Sequence, residues 1–198
     1  MPSLPPGFAN PVLSAQSTFR CIMDALARPA TVRILPEHLL APRPLSCGAA
    51  AVALTLCDHD TPVWLDAPLA AAPNVVSWLR FHTGATVVAK PAEAAFAVIG
   101  APAQAPPFDA FALGTAEYPD RSTTLILQID SLTQGQPLTF VGPGIRQGAL
   151  LRARPLPHDI RKRLAANRAL FPRGIDLVLV TETAIAAIPR SARLTDKD

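Results

Sequence analysis

The chain has 198 residues, 49% of them hydrophobic and 17% charged. That balance excludes intrinsic disorder, which needs low hydrophobicity and high net charge, and the length suits one domain with one core. The net charge of +3 comes from basic residues spread along the sequence, without the interleaved aromatics or reading module of a nucleic-acid-binding protein.

In chain order, residues 14–27 place Phe19, Ile22, Met23 and Leu26 at i, i+3, i+4 and i+7. This is the spacing of one helical face, and Arg28-Pro29 stops it. Val32 and Ile34 alternate across 31–35 as a short strand would. Residues 46–57 are apolar almost all round, which predicts a buried helix, ended by a solvated turn at Asp58-His59-Asp60. A strand over 61–65 precedes a helix over 74–81 that turns Val75, Trp78 and Leu79 to one side, with Gly84 beyond it. Residues 85–89, 95–99 and 123–129 are strand candidates, the last of them the strongest in the chain. Segments 136–141 and 148–153 flank the turn Gly142-Pro143-Gly144. Residues 157–170 predict a helix with Ile160, Leu164 and Ala165 on its packed face. Arg152, Arg154, Arg161, Lys162, Arg163 and Arg168 form the densest basic run, read as a solvated face. Strands over 175–180 and 184–188 close the chain as a hairpin around residues 181–183. The mixture predicts a three-layer α/β/α domain with a mixed sheet, covering 1–198, with 1–10 and 191–198 as mobile tails.

The search for chemistry returns little. His38, His59, His82 and His158 are isolated, without metal-ligand spacing. Cys21, Cys47 and Cys57 form no CxxC pair and read as small buried hydrophobes in a reducing compartment. Glycine-rich 142–145 contains a proline, which has no N–H to offer a phosphate. Pyridoxal phosphate needs a Schiff-base lysine, and Lys90, Lys162 and Lys197 occupy a loop, a charged helix face and a tail. No catalytic, cofactor or metal residue is therefore assigned. The N-terminus lacks a signal peptide's basic start and apolar stretch, and no apolar run approaches the ~20 residues of a membrane span. A cytoplasmic location is expected.

Several phrases resemble one family. They are Gln16 with Phe19-Arg20, Leu54-Thr55-Leu56 leading to Asp60-Thr61-Pro62-Val63-Trp64-Leu65, and Leu79-Arg80-Phe81-His82-Thr83. Gly114-Thr115-Ala116 and Thr124-Leu125-Ile126-Leu127-Gln128 follow, then Gly142-Pro143-Gly144-Ile145, Phe171-Pro172-Arg173-Gly174-Ile175-Asp176-Leu177 and Ala187-Ile188-Pro189-Arg190. Together, in this order, they resemble the PhnH family, the H subunit of the bacterial carbon–phosphorus lyase system of phosphonate catabolism. The resemblance implies a fold similar to the large domain of type I pyridoxal-phosphate transferases, without that cofactor. It implies a homodimer joined to the G, I and J subunits in a core complex. That machinery, with its L subunit, transfers alkylphosphonate to the ribose of ATP and displaces adenine, and the J subunit later breaks the C–P bond. The chain is thus expected to act as a subunit, the alternative being a free-standing transferase with a spatially assembled site.

Two patches are candidate ligand or partner contacts. Arg80, Phe81 and His82 set two cationic groups beside an aromatic ring, suited to an anionic ligand or a partner's carboxylate. The same residues also suit a helix C-terminus, where cations meet the negative end of the dipole. Phe171 and Arg173 suit a partner loop, or a helix-stop turn that positions the next strand.

Overall fold

The computed structural model describes residues 4–36 and 39–195. His38, Lys197 and the outermost residues of both expected tails lie outside them. The helices are α1 (Pro11–Ala27), α2 (Cys47–Leu56), α3 (Ala67–Ala70), α4 (Pro73–Thr83) and α5 (Ile160–Ala169). The strands are β1 (Arg33–Ile34), β2 (Val63–Leu65), β3 (Val87–Val88), β4 (Phe96–Ile99) and β5 (Thr124–Gln128), then β6 (Pro137–Val141), β7 (Ala149–Arg152), β8 (Asp176–Val180), β9 (Ala184–Ile188) and β10 (Arg193–Leu194).

Seven strands form a mixed sheet in the order β1-β9-β8-β5-β4-β2-β3. β3, β2, β4, β5 and β8 are parallel, and β9 runs antiparallel to both its neighbours. The middle of β5, Leu125–Leu127, is apolar without alternation because both faces are buried. Ile126 faces a core with Val98, Val178, Val52, Leu69 and Trp78, beneath α1 to α4. Leu125 and Leu127 face the opposite core with Leu177, Leu179, Ile160 and Leu164. There α5 shares the flank with a small antiparallel sheet, β10-β6-β7, which contributes Leu138, Phe140 and Leu151. The sequence pattern identified β6 and β7 but not their separation from the main sheet.

The structure corrects three details of the periodicity reading. α1 begins at Pro11 because Asn10 caps it, accepting the Leu13 amide at 3.2 Å. Its buried side is Ser14, Thr18, Ile22 and Ala25, leaving Phe19 and Met23 46% and 47% exposed. The reason lies in α2, whose buried middle is Gly48–Ala53 with only small side chains and one valine. Such a helix is approached closely only by small residues, so the bulky side of α1 turns outward.

In α5 the packed residues are Ile160, Leu164 and Asn167, while Ala165 is exposed. Asn167 is buried because both ends of its amide bond the Ile175 backbone at 2.9 Å. Gly174, at φ 119°, brings the chain so close that a Cβ there would lie 2.6 Å from Asn167 Oδ1. The basic run is not a freely solvated face either. Arg163 donates to Asp159 Oδ1 at 2.7 Å and to the Ala105 and Pro106 carbonyls at 2.9 and 2.8 Å. Arg152 and Arg161 donate to the Gly135 and Pro137 carbonyls, both at 3.1 Å. Arg163 and Arg152 each tie a loop to a neighbouring element, and Arg161 ties α5 to the start of β6.

At the amino end, Trp78 Nε1 donates to the Pro5 carbonyl at 2.8 Å, and Leu4 and Phe8 pack on the core. Segment 4–10 therefore lies across α4 and α2.

Candidate functional site

Open α/β sheets leave a crevice beyond the carboxyl ends of their parallel strands, and ligands bind there. At the carboxyl ends of β4, β5 and β8, Gly100, Gln128 and Thr181 border such a cleft of about 710 Å³. That volume falls within the roughly 300–1,000 Å³ of small-molecule sites. The amino end of α2 forms one wall. Ser46 caps it, its Oγ accepting the Ala49 amide at 3.1 Å, and the Ser46 amide donates to Gln128 Oε1 at 2.7 Å. Gln128 Nε2 in turn donates to the Pro44 carbonyl at 3.2 Å.

Glu182, in the β8–β9 turn, completes the wall. Its Oε2 accepts the Cys47 amide at 2.7 Å and its Oε1 accepts from Arg43 Nη1 at 2.9 Å. This approach requires a glycine at 48, because a Cβ there would sit 2.0 Å from the Thr181 carbonyl oxygen. The positive end of the α2 dipole thus faces a carboxylate of the same chain. Partial burial works to raise the Glu182 carboxyl, but hydrogen bonds from the Cys47 amide and thiol, together with Arg43, outweigh it. The carboxyl is held below the usual glutamate range. Burial, then Glu182, pushes the Cys47 thiol up, so it stays protonated at neutral pH. Ser131 beside the cleft accepts the Thr133 and Gln134 amides at 3.1 Å, the geometry of a turn-forming hydroxyl. The cleft positions polar groups, and among the described residues it presents no activated nucleophile beside a base.

A depressed carboxyl stabilises the fold above its unfolded pKa of about 4.3, and that contribution is lost as pH falls through its lower folded value. Thermal melts between pH 7 and 3 are expected to show a steeper acid decline for wild type than for Glu182→Gln. Parallel curves would disprove the tie.

None of the candidate contacts chosen from sequence borders this cleft. Arg80, Phe81 and His82 end α4 on one side of the sheet, whereas Phe171 and Arg173 follow α5 on the other. Arg80 is exposed and Phe81 is 73% exposed. His82 stacks against Trp78 at 4.7 Å, and its Nε2 lies 3.1 Å from the Pro5 carbonyl, so it clamps the amino-terminal segment. Phe171 lies beneath Arg168, 4.5 Å from guanidinium carbon to ring centre. The Arg173 amide donates to Leu170 O at 3.0 Å, closing the turn after α5. Asp58-His59-Asp60 forms a turn, with Asp58 Oδ1 accepting from the Asp60 amide and Thr61 Oγ1, both at 3.0 Å.

Sequence reasoning missed Arg43, Ser46, Gln128 and Glu182. Two local signals pointed to them: a cap residue before the most apolar helix, and a polar residue ending the strongest strand.

Fold and cleft define a mixed α/β protein with a preformed polar crevice at its strand ends. The model of the family described as bacterial phosphonate metabolism protein (PhnH) matches residues 6–195. The chain is also 49% identical over 187 residues to the alpha-D-ribose 1-methylphosphonate 5-triphosphate synthase subunit PhnH of Rhizobium meliloti (strain 1021), covering 94% of this chain and 93% of that protein. It is 29% identical over 85 residues to the putative C-P lyase subunit protein HtxG of Stutzerimonas stutzeri, covering 43% and 44% of the two chains. The chain belongs to the PhnH family.

Proposed function

We propose that this chain is a subunit of a carbon–phosphorus lyase core complex in phosphonate catabolism. It supports formation of alpha-D-ribose 1-methylphosphonate 5-triphosphate from ATP and methylphosphonate, and does not catalyse that step alone. The observation that carries the proposal is the near full-length identity to the Rhizobium synthase subunit. The cleft agrees with it, since its polar groups are engaged with one another rather than arranged around a reacting atom.

In this reading the chain forms one domain, works as a homodimer and meets the G, I and J subunits in the cytoplasm. Val12, Phe19 and Met23 on the outer side of α1 supply exposed apolar surface for such contacts. Arg80, Phe81, Phe171 and Arg173 are the partner contacts proposed on the other surfaces, with His82 holding the α4 end in place. The seven-stranded mixed sheet with one antiparallel strand near its edge supports a relation to the large domain of type I pyridoxal-phosphate transferases. No helix among the described residues is long and apolar enough to cross a membrane.

A deletion strain is expected to lose growth on methylphosphonate as sole phosphorus source and to regain it with this chain. Unimpaired growth would overturn the role. Transfer of methylphosphonate to ATP by the purified chain unaided would favour a free-standing transferase instead.

A further inference from the structure

On the flank opposite α1 to α4, β10 lies alongside α5, and between them is a cavity of about 350 Å³. Arg161, Ala165, Arg168 and Ala169 occupy positions i, i+4, i+7 and i+8 of α5, so they share one helical face. The two alanines leave space between the two arginines, and Arg193 from β10 borders the same space. Three arginine side chains therefore border one cavity.

Two of them are already held. Arg161 donates to the carbonyls of Pro137 at 3.1 Å and Thr195 at 3.4 Å, and Arg168 lies on the Phe171 ring. Carbonyls and an aromatic face orient a guanidinium without neutralising it. Among the described residues, none of the three arginines forms an ion pair with a carboxylate. By contrast, Arg43, Arg163 and Arg190 each do. Like charges bordering one space repel one another, and an anion between them offsets that repulsion. Guanidinium groups bind tetrahedral oxyanions through paired N–H donors. A multiply charged phosphate or phosphonate matches three cations better than one carboxylate does.

We propose that this cavity is a binding site for a small phosphate- or phosphonate-bearing anion, with Arg161, Arg168 and Arg193 as its ligands. Holding Arg161 and Arg168 in place before binding reduces the side-chain entropy lost when the anion arrives. The proposal stands on charge and geometry and does not depend on the subunit role.

The test is titration of the full chain with inorganic phosphate, pyrophosphate and methylphosphonate at 150 mM sodium chloride, read by arginine Nε–Hε NMR signals. Saturable shifts at Arg161, Arg168 and Arg193 are expected, with the most effective of the three anions identifying the natural class. Arg168→Gln should weaken binding at least tenfold. Ala165→Leu keeps every charge but fills the space, and should weaken it as much; residue 165 is exposed, so the variant should fold. Arg146→Gln, in the β6–β7 loop outside the cavity, should change affinity less than twofold. Asp196→Asn with Asp198→Asn, just beyond β10, should bind at least as tightly as wild type. Shifts that fail to saturate, an Ala165→Leu variant that binds normally, or equal weakening by Arg146→Gln would overturn the site. So would binding of an acidic protein partner with no response to any of the three anions.

Discussion

Trp78→Ala is expected to destabilise the fold by about 3–5 kcal/mol, the usual cost of removing a large buried aromatic. Trp78 is fully buried at the centre of the core beneath α1 to α4. Its loss leaves a cavity that the rest of this core cannot fill without moving. It also releases the Pro5 carbonyl from its 2.8 Å hydrogen bond and removes the surface on which His82 stacks. The damage should therefore spread to the amino-terminal segment. Urea unfolding gives the energy, and limited proteolysis should show new cleavage before residue 11 under native conditions. Trp78→Phe keeps most of the volume but loses the N–H donor, so it separates the two effects. It should cost less than alanine while still loosening residues 4–10. A loss below 1 kcal/mol for alanine would show that this core is not packed as described.

Asp176→Ala is expected to cost about 3 kcal/mol. Removing one partner of a partly buried pair leaves the other charge uncompensated. Arg190 is bound from several sides. Its Nε donates to both Asp176 oxygens at 3.2 Å and its Nη2 to Oδ2 at 2.5 Å. The same guanidinium donates to the Pro119 carbonyl and to Ser122 Oγ, each at 2.5 Å. The cost falls at the low end for such pairs because the two side chains remain 15% and 21% exposed. Asp176→Val with Arg190→Met removes both charges together and should recover most of the loss, since a buried pair adds little over an apolar one. A double variant no more stable than Asp176→Ala would contradict this account. The phrases holding Asp176 and Arg190 carry part of the family resemblance, and here they form a structural node between β8 and the segment after β9.

Elements whose pattern is local were legible in the sequence. The run Thr123–Ile129 contains β5, the apolar run after Ser46 is α2, and the 175–188 hairpin pairs as β8 and β9. In each, side-chain periodicity or an unbroken apolar stretch reports burial directly. The family was legible too, because short phrases in fixed order are a property of the sequence itself. The face of α1 was not legible. Its large apolar residues obey the helical spacing, but the small residues of α2 determined which side could approach.

The residues that gather at the cleft and the cavity follow the same division. The sequence by itself determined that lysines are few, cysteines ungrouped and histidines isolated, so familiar cofactor and metal patterns are absent from it. Only the tertiary structure brought Ser46 to Gln128 and Cys47 to Glu182, more than 80 positions apart, and gathered Arg161, Arg168 and Arg193 around one cavity. Strand order and crossover connections decide which distant residues share an edge of the sheet, and these contacts leave no periodicity in the chain.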